Sequence, residues 1–192
     1  MGKFVSNFFI SLDGSSRRPT SGTSFPYFND EMGAAFGHGL AACEAFLMGR
    51  VLYDQWVEYW PKYGEVAGPP GEPTDARDFA DFINDVPKYV VSNTLTEATW
   101  SNTTIVSGDV AARLRDIKWQ TAGDIGMSGS ATLVRWLLAN GLLDELRLLI
   151  HPIAVGHGQR LFEDTPTRPL RLLRHEAFET GVLNVTYAPA AS

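Results

Sequence analysis

A single cysteine, Cys43, among 192 residues rules out an intramolecular disulfide and a cysteine-rich zinc site, and it fits a reducing compartment. Basic residues are also scarce: 16 Lys and Arg against 22 Asp and Glu leave a net charge of −6 and a pI near 5.2. A surface built to neutralise many phosphates would be basic, so nucleic acid is not an expected partner and an anionic ligand must be held locally. No apolar run approaches the roughly 20 residues needed to span a bilayer. The first segment, MGKFVSNFFISLDG, has one lysine, an apolar stretch broken by Ser6 and Asn7, and no small-residue cleavage pattern after it. A cytoplasmic protein with neither signal peptide nor membrane span is expected. The four histidines, His38, His151, His157 and His175, have no second ligand at i+3 or i+4, so no metal site is expected. There is no Gly-x-Ser-x-Gly elbow, no GxGxxG and no P-loop lysine.

What remains is a chain of ordinary globular composition, with 44% hydrophobic residues, 18 glycines and 11 prolines. Its length suits one domain over residues 1–192. KFVSNFFI reads as a first strand ending at the Asp13-Gly14 turn, followed by a polar loop through Gly22 that carries Arg17 and Arg18. Asn29 or Asp30 can cap a helix to about Ala42. A buried strand, Ala45–Met48, feeds a helix over Val51–Trp60, and the Gly- and Pro-rich stretch 61–78 reads as a surface loop. Strands follow at Lys88–Ser92 and Thr104–Val106, then a helix to about Ile117 and a strand near Ile125–Met127. Next come a helix over Ser130–Asn140 stopped by Gly141, and an apolar strand over Leu146–Ala154. Arg168–Phe178 and Val182–Ala188 flank Glu179-Thr180-Gly181 as a hairpin. Strands alternating with helices and then a hairpin predict an α/β fold: a mixed, mainly parallel sheet flanked by helices, with an antiparallel C-terminal hairpin.

Such sheets place ligands at the carboxyl ends of strands, which singles out three loops. Gly49-Arg50 can bring a backbone and a guanidinium to a phosphate, or Arg50 can simply cover a helical turn. Ser92, Asn93 and Thr94 can meet a ribose or phosphate, or serve as ordinary turn residues. In DIGMSGSATLV, Gly129 and the hydroxyls of Ser130 and Thr132 can cradle a pyrophosphate at a helix start, or Ser128 or Ser130 can be a plain N-cap. Asp13 can hydrogen-bond a nitrogen heterocycle and help route a proton, or belong to an Asp-Gly turn.

Taken in order, SLDG, FLMGRVLYD, VPKYVVSNTL, GMSGSATLVRWLLANGLLDEL and HPIAVGHGQRLF resemble the dihydrofolate reductase-like superfamily, and within it the reductase domain of bacterial riboflavin biosynthesis (the RibD C-terminal domain) and its stand-alone relatives. The resemblance implies a bound NADPH and hydride transfer to a C=N or C=O bond of a heterocyclic, pyrimidine or pterin-like, or sugar-derived substrate. The reduction of 5-amino-6-(5-phosphoribosylamino)uracil is the specific case. It also implies that Gly49 and Arg50 meet cofactor phosphates, that Ser92, Asn93 and Thr94 line the adenosine side, and that Gly129, Ser130, Ala131 and Thr132 bind the pyrophosphate. Asp13 would face the substrate as the catalytic candidate, the proton coming from it through water or from solvent, with Tyr53 and Asp54 as further substrate-side candidates. Members often carry glycine where this chain has Ser128, and lysine after Asp-Gly where it has Ser15-Ser16-Arg17. The zinc deaminase domain of the bifunctional pathway protein needs a C-x-x-C that one cysteine cannot supply. A homodimer through the apolar C-terminal strands is a further expectation. The alternative from another class is a non-catalytic nucleotide-binding or sensing protein that keeps the reductase fold.

Overall fold

A computed structural model describes residues 1–16, 27, 29–63 and 74–190. The elements run β1 (Phe4–Ser11), α1 (Asp30–Ala41), β2 (Cys43–Gly49), α2 (Arg50–Trp56), α3 (Trp60–Tyr63), α4 (Thr74–Asp85), β3 (Lys88–Val91), β4 (Thr103–Val106), α5 (Val110–Gln120), β5 (Asp124–Ser128), α6 (Ala131–Ala139), β6 (Leu143–His151), β7 (Leu170–Ala177) and β8 (Leu183–Pro189). The eight strands lie in the order β4-β3-β2-β5-β1-β6-β8-β7, parallel except for the pairs made by β8 with β6 and β7 among the registers defined. This is the expected mainly parallel sheet with a terminal antiparallel hairpin. Among the described residues no helix is long and apolar enough to cross a membrane.

The chain resolves into two compact units, Met1–Gly2 with Ala35–Gly126, and Lys3–Ala34 with Met127–Ser192. In the first, β2 pairs in parallel with β3 from Phe46↔Lys88 to Gly49↔Val91. Its core gathers Phe46, Met48, Tyr53, Phe79, Ile83, Val90 and Trp100. Aromatic rings meet edge to face there, Trp60 on Phe79 at 4.7 Å and Trp56 on Phe79 at 5.5 Å, the geometry that ring quadrupoles favour.

That cluster explains two departures from the sequence reading. The helix expected over Val51–Trp60 stops at Trp56, where Tyr59 N–H bonds the Trp56 carbonyl in a tight turn and the chain restarts as α3, carrying Trp60 onto Phe79. The stretch expected to be loop through residue 78 becomes α4 from Thr74, because Phe79, Ala80 and Ile83 recur at helical spacing and are buried. Residues 64–73 of that loop, and Arg17 and Arg18 of the earlier one, lie outside the described residues. Lys88, at the head of β3, is fully buried, and its Nζ donates to the carbonyls of Ile83 (2.8 Å), Asn84 (3.2 Å) and Val86 (2.8 Å). An ammonium thus satisfies carbonyls that the end of α4 leaves without helical partners.

In the second unit β1 and β6 run parallel from Phe4↔Leu143 to Ser11↔His151. The strand expected from Leu146 begins earlier because its charged start is satisfied. Asp144 accepts the Phe4 N–H at 2.7 Å, and Glu145 accepts from Lys3 (3.1 Å) and Arg147 (2.9 Å). Pro152 follows the last strand residue, where a missing N–H ends the ladder. Helix α6 buries Leu133, Val134, Leu137 and Leu138. It ends as expected at Gly141, whose φ of +64° lets its own N–H and that of Leu142 return to the carbonyls of Leu138 and Leu137.

Candidate functional site

In the first unit Gly49 and Val91 are register partners, so Arg50 and Ser92 leave the carboxyl ends of adjacent parallel strands. The structure therefore brings the Gly49-Arg50 and Ser92–Thr94 loops side by side. Ser92 is buried, and its Oγ accepts the N–H groups of Thr94 (3.2 Å) and Leu95 (3.0 Å). It builds the turn that leaves Asn93 and Thr94 exposed. Arg50 directs Nε at both oxygens of Asp54, at 2.6 and 2.7 Å, in a half-exposed i,i+4 pair. Asp54 consequently orients the guanidinium one helical turn away. Tyr53 departs from the sequence reading. Its side chain is buried, and its hydroxyl accepts the N–H of Thr99 (2.9 Å) and Trp100 (3.4 Å), which pins the 99–100 segment to the core and leaves no face for a substrate.

In the second unit β5 delivers the chain to the start of α6. Gly129 (φ +65°) and Ser130 (φ +58°, ψ +56°) are both left-handed. For serine that conformation costs about 1–2 kcal/mol, and strain of this kind concentrates at ligand-binding positions. Ser130 occupies the N-cap position, yet its side chain makes no capping hydrogen bond, so the plain N-cap does not describe it. A Cβ built on Gly129 would meet nothing within 4 Å, so the backbone there faces open space. Ala131 is buried, whereas Thr132 is exposed with its Oγ1 3.5 Å from Arg135 Nη2. The Gly129 N–H reaches the Asn7 carbonyl at 3.4 Å, and the Asn7 amide reaches the Met127 carbonyl at 3.5 Å, which steadies the turn.

Asp13, just past β1, accepts three hydrogen bonds: from the Ser11 hydroxyl (2.6 Å), the Val155 N–H (3.1 Å) and the Gly156 N–H (2.8 Å). The Ser11 hydroxyl first, and then the two backbone donors, hold its carboxyl well below the usual carboxylate range. Asp13 is thus held as an anion that accepts from all three donors. It ties the β1 end to the turn in HPIAVGHGQRLF. Ser11, Val155 and Gly156 carry this anchor and were not singled out in the sequence. Their only local signal is the repetition of small residues and glycine after Pro152. His151, fully buried between the rings of Phe9 and Tyr27 (centroids 6.1 Å from each), is pushed down to about 4 by burial and stays neutral. Among the described residues no cluster of His, Cys, Asp and Glu is assembled that could hold a metal.

The profile of the RibD C-terminal domain matches residues 3–184. The chain belongs to the RibD C-terminal domain family. A Bacillus subtilis (strain 168) relative, the uncharacterized protein YyaP, is 26% identical over 186 residues, covering 96% of this chain and 94% of its own. Among solved structures, a putative riboflavin biosynthesis protein from Shewanella sp. PV-4 superimposes with a TM-score of 0.71 at 18% identity, over 100% of both chains. The dihydrofolate reductase of Enterococcus faecalis, solved in complex with NADP(H) and RAB-propyl, superimposes with a TM-score of 0.61 at 11% identity, over 99% of this chain and 98% of its own. This RibD C-terminal domain chain therefore shares the dihydrofolate reductase-like fold.

Proposed function

We propose that the chain is an NADPH-dependent reductase of a heterocyclic, pyrimidine or pterin-like, or sugar-derived substrate, with 5-amino-6-(5-phosphoribosylamino)uracil as the specific candidate. The observation that carries this reading is the start of α6, where Gly129 and Ser130 are consecutive left-handed residues, no side-chain cap forms and a Cβ on Gly129 would meet open space. These residues fit a pyrophosphate, and the donor set is what a phosphate needs. When bound, NADPH supplies the hydride. The chain's own part is positional: Gly129, Ser130, Ala131 and Thr132 offer backbone and hydroxyl donors to the pyrophosphate. Gly49 lets the backbone come close while Arg50, oriented by Asp54, supplies a positive fork. Asn93 and Thr94 stand on the turn shaped by Ser92 for the adenosine side. Asp13 fixes the substrate-side turn at Val155–Gly156, and in this reading the proton comes from solvent.

Titration with NADPH and with NADH, followed by cofactor fluorescence, tests the cofactor half. Binding of NADPH in the micromolar range is expected, and failure of both to bind at millimolar levels would remove it. Turnover on a pyrimidine and pterin panel then separates the reductase from a non-catalytic nucleotide-binding protein that keeps the fold. We also propose a homodimer through the C-terminal strands, supported by Leu172, Leu173 and Leu183, each more than two-fifths exposed on the hairpin. Light scattering should return twice the chain mass, falling to one chain mass in Leu172→Glu/Leu173→Glu.

A further inference from the structure

In the second unit α6 and the 162–170 segment enclose a cleft of about 290 Å³, close to the lower end of small-molecule sites. Its floor is apolar: Leu138 and Ala139 on the last turns of α6, Phe162, Pro166 and Leu170. Phe162 is 44% exposed, a large aromatic surface left in water beside a concavity. Both charged residues lining the cleft are arginines, and they are in different states. Arg135 is engaged, with Nη1 3.2 Å from Glu163 Oε1 and 3.4 Å from the Glu163 carbonyl. Arg168 makes no hydrogen bond or ion pair among the described residues. It stands between Thr167 and Pro169, and the rings of Pro166 and Pro169 fix φ along this wall, so little backbone freedom remains to be lost when a ligand arrives.

We propose that this cleft binds a small amphipathic monocarboxylate, its apolar body on Leu138 and Phe162 and its carboxylate on the guanidinium of Arg168. One available guanidinium matches one carboxylate in a two-point contact. The mostly apolar wall would leave a phosphate dianion short of donors and would not repay its desolvation. Glu163 is paired with Arg135 and does not line the cleft.

Isothermal titration of the full chain with 4-phenylbutyrate and with its uncharged analogue 4-phenylbutanol tests the assignment. The acid is expected to bind about ten-fold more tightly than the alcohol. Arg168→Gln should bring the acid down to the affinity of the alcohol, and Ala139→Trp, which fills the floor from an exposed helix position, should abolish both. Saturating NADPH should leave these affinities unchanged, which separates the cleft from the strand-end loops. Absence of acid binding at millimolar concentration, equal affinities for acid and alcohol, insensitivity to both folded variants, or competition by NADPH would each overturn the proposal.

Discussion

Lys88 is charged, has no exposed surface, and lies 5.0 Å from the centroid of the Trp100 ring. Burial pushes its pKa down to about 8 from an ordinary 10.5, with the Asp85 carboxylate pulling the other way. The sign of the linkage follows from proton counts. Between pH 8 and 10.5 the unfolded chain keeps a proton on this lysine that the folded chain has released, so stability rises with pH across that window. Evaluating both protonation equilibria at pH 7 and pH 9.5 gives a gain of about 2 kcal/mol from this one group. Other lysines and tyrosines also titrate there, so the useful quantity is a double difference. Urea unfolding of the native chain and of Lys88→Met would be followed at both pH values, and the native chain should gain about 2 kcal/mol more than the variant between them. Methionine keeps an unbranched, flexible side chain that can pack on Trp100 while removing the titration. Equal pH dependence in the two proteins would refute the reasoning and would mean that the three carbonyls at the end of α4 hold the ammonium strongly enough to offset its burial.

Three further predictions concern single groups. Arg50→Ala should weaken NADPH binding about ten-fold at low salt and less at high salt, because a charge contact is lost; unchanged affinity in both conditions would remove Arg50 from the cofactor site. Tyr53→Phe should cost about 1–2 kcal/mol in urea unfolding, since it strips the acceptor from the part-buried Thr99 N–H and the buried Trp100 N–H, and should leave NADPH affinity unaltered. A tenfold loss of affinity at unchanged stability would instead return Tyr53 to the ligand. His151, neutral in the fold with its pKa near 4, must be charged in the unfolded chain below about pH 6.5; stability should therefore fall by about 3 kcal/mol between pH 6.5 and 4, and His151→Phe should flatten that part of the acid-unfolding curve.

The sheet was legible because its signals are local. β-branched and aromatic runs bounded by Gly and Pro mark β1, β3 and β4, and Gly141 marks the end of α6 within a residue. α4 was hidden by its neighbourhood: the Pro and Gly residues up to Pro73 dominate the window and mask the helical spacing of Phe79, Ala80 and Ile83. Lys88 reads locally as a surface residue on a strand, and only the return of α4 above it turns the ammonium into a cap.

The candidate site divides along the same line, and the division has a physical cause. Conformational requirements on the backbone are written into residue type at the position itself, so the left-handed turn at Gly129 is marked by its glycine. Side-chain roles depend on what the fold carries to them. Asp13 looked like an acid or a turn residue, and became an anchored acceptor only because Val155 and Gly156, more than 140 residues further along, deliver two N–H groups to it. Tyr53 follows Arg50 on one short helix, but that helix has two faces: Arg50 and Asp54, four apart, meet at the surface while Tyr53 turns inward to Thr99. Ser130 shows the limit most sharply. As a residue type before a helix it reads as a capping side chain, yet the backbone holds it left-handed and no side-chain cap forms. Substituting it by glycine should therefore relieve strain without removing a side-chain cap, and Ser130→Ala beside it keeps the backbone restricted while removing the hydroxyl: a loss of NADPH affinity common to both variants would assign the hydroxyl to the ligand, and unchanged affinity in Ser130→Ala would remove it from the site.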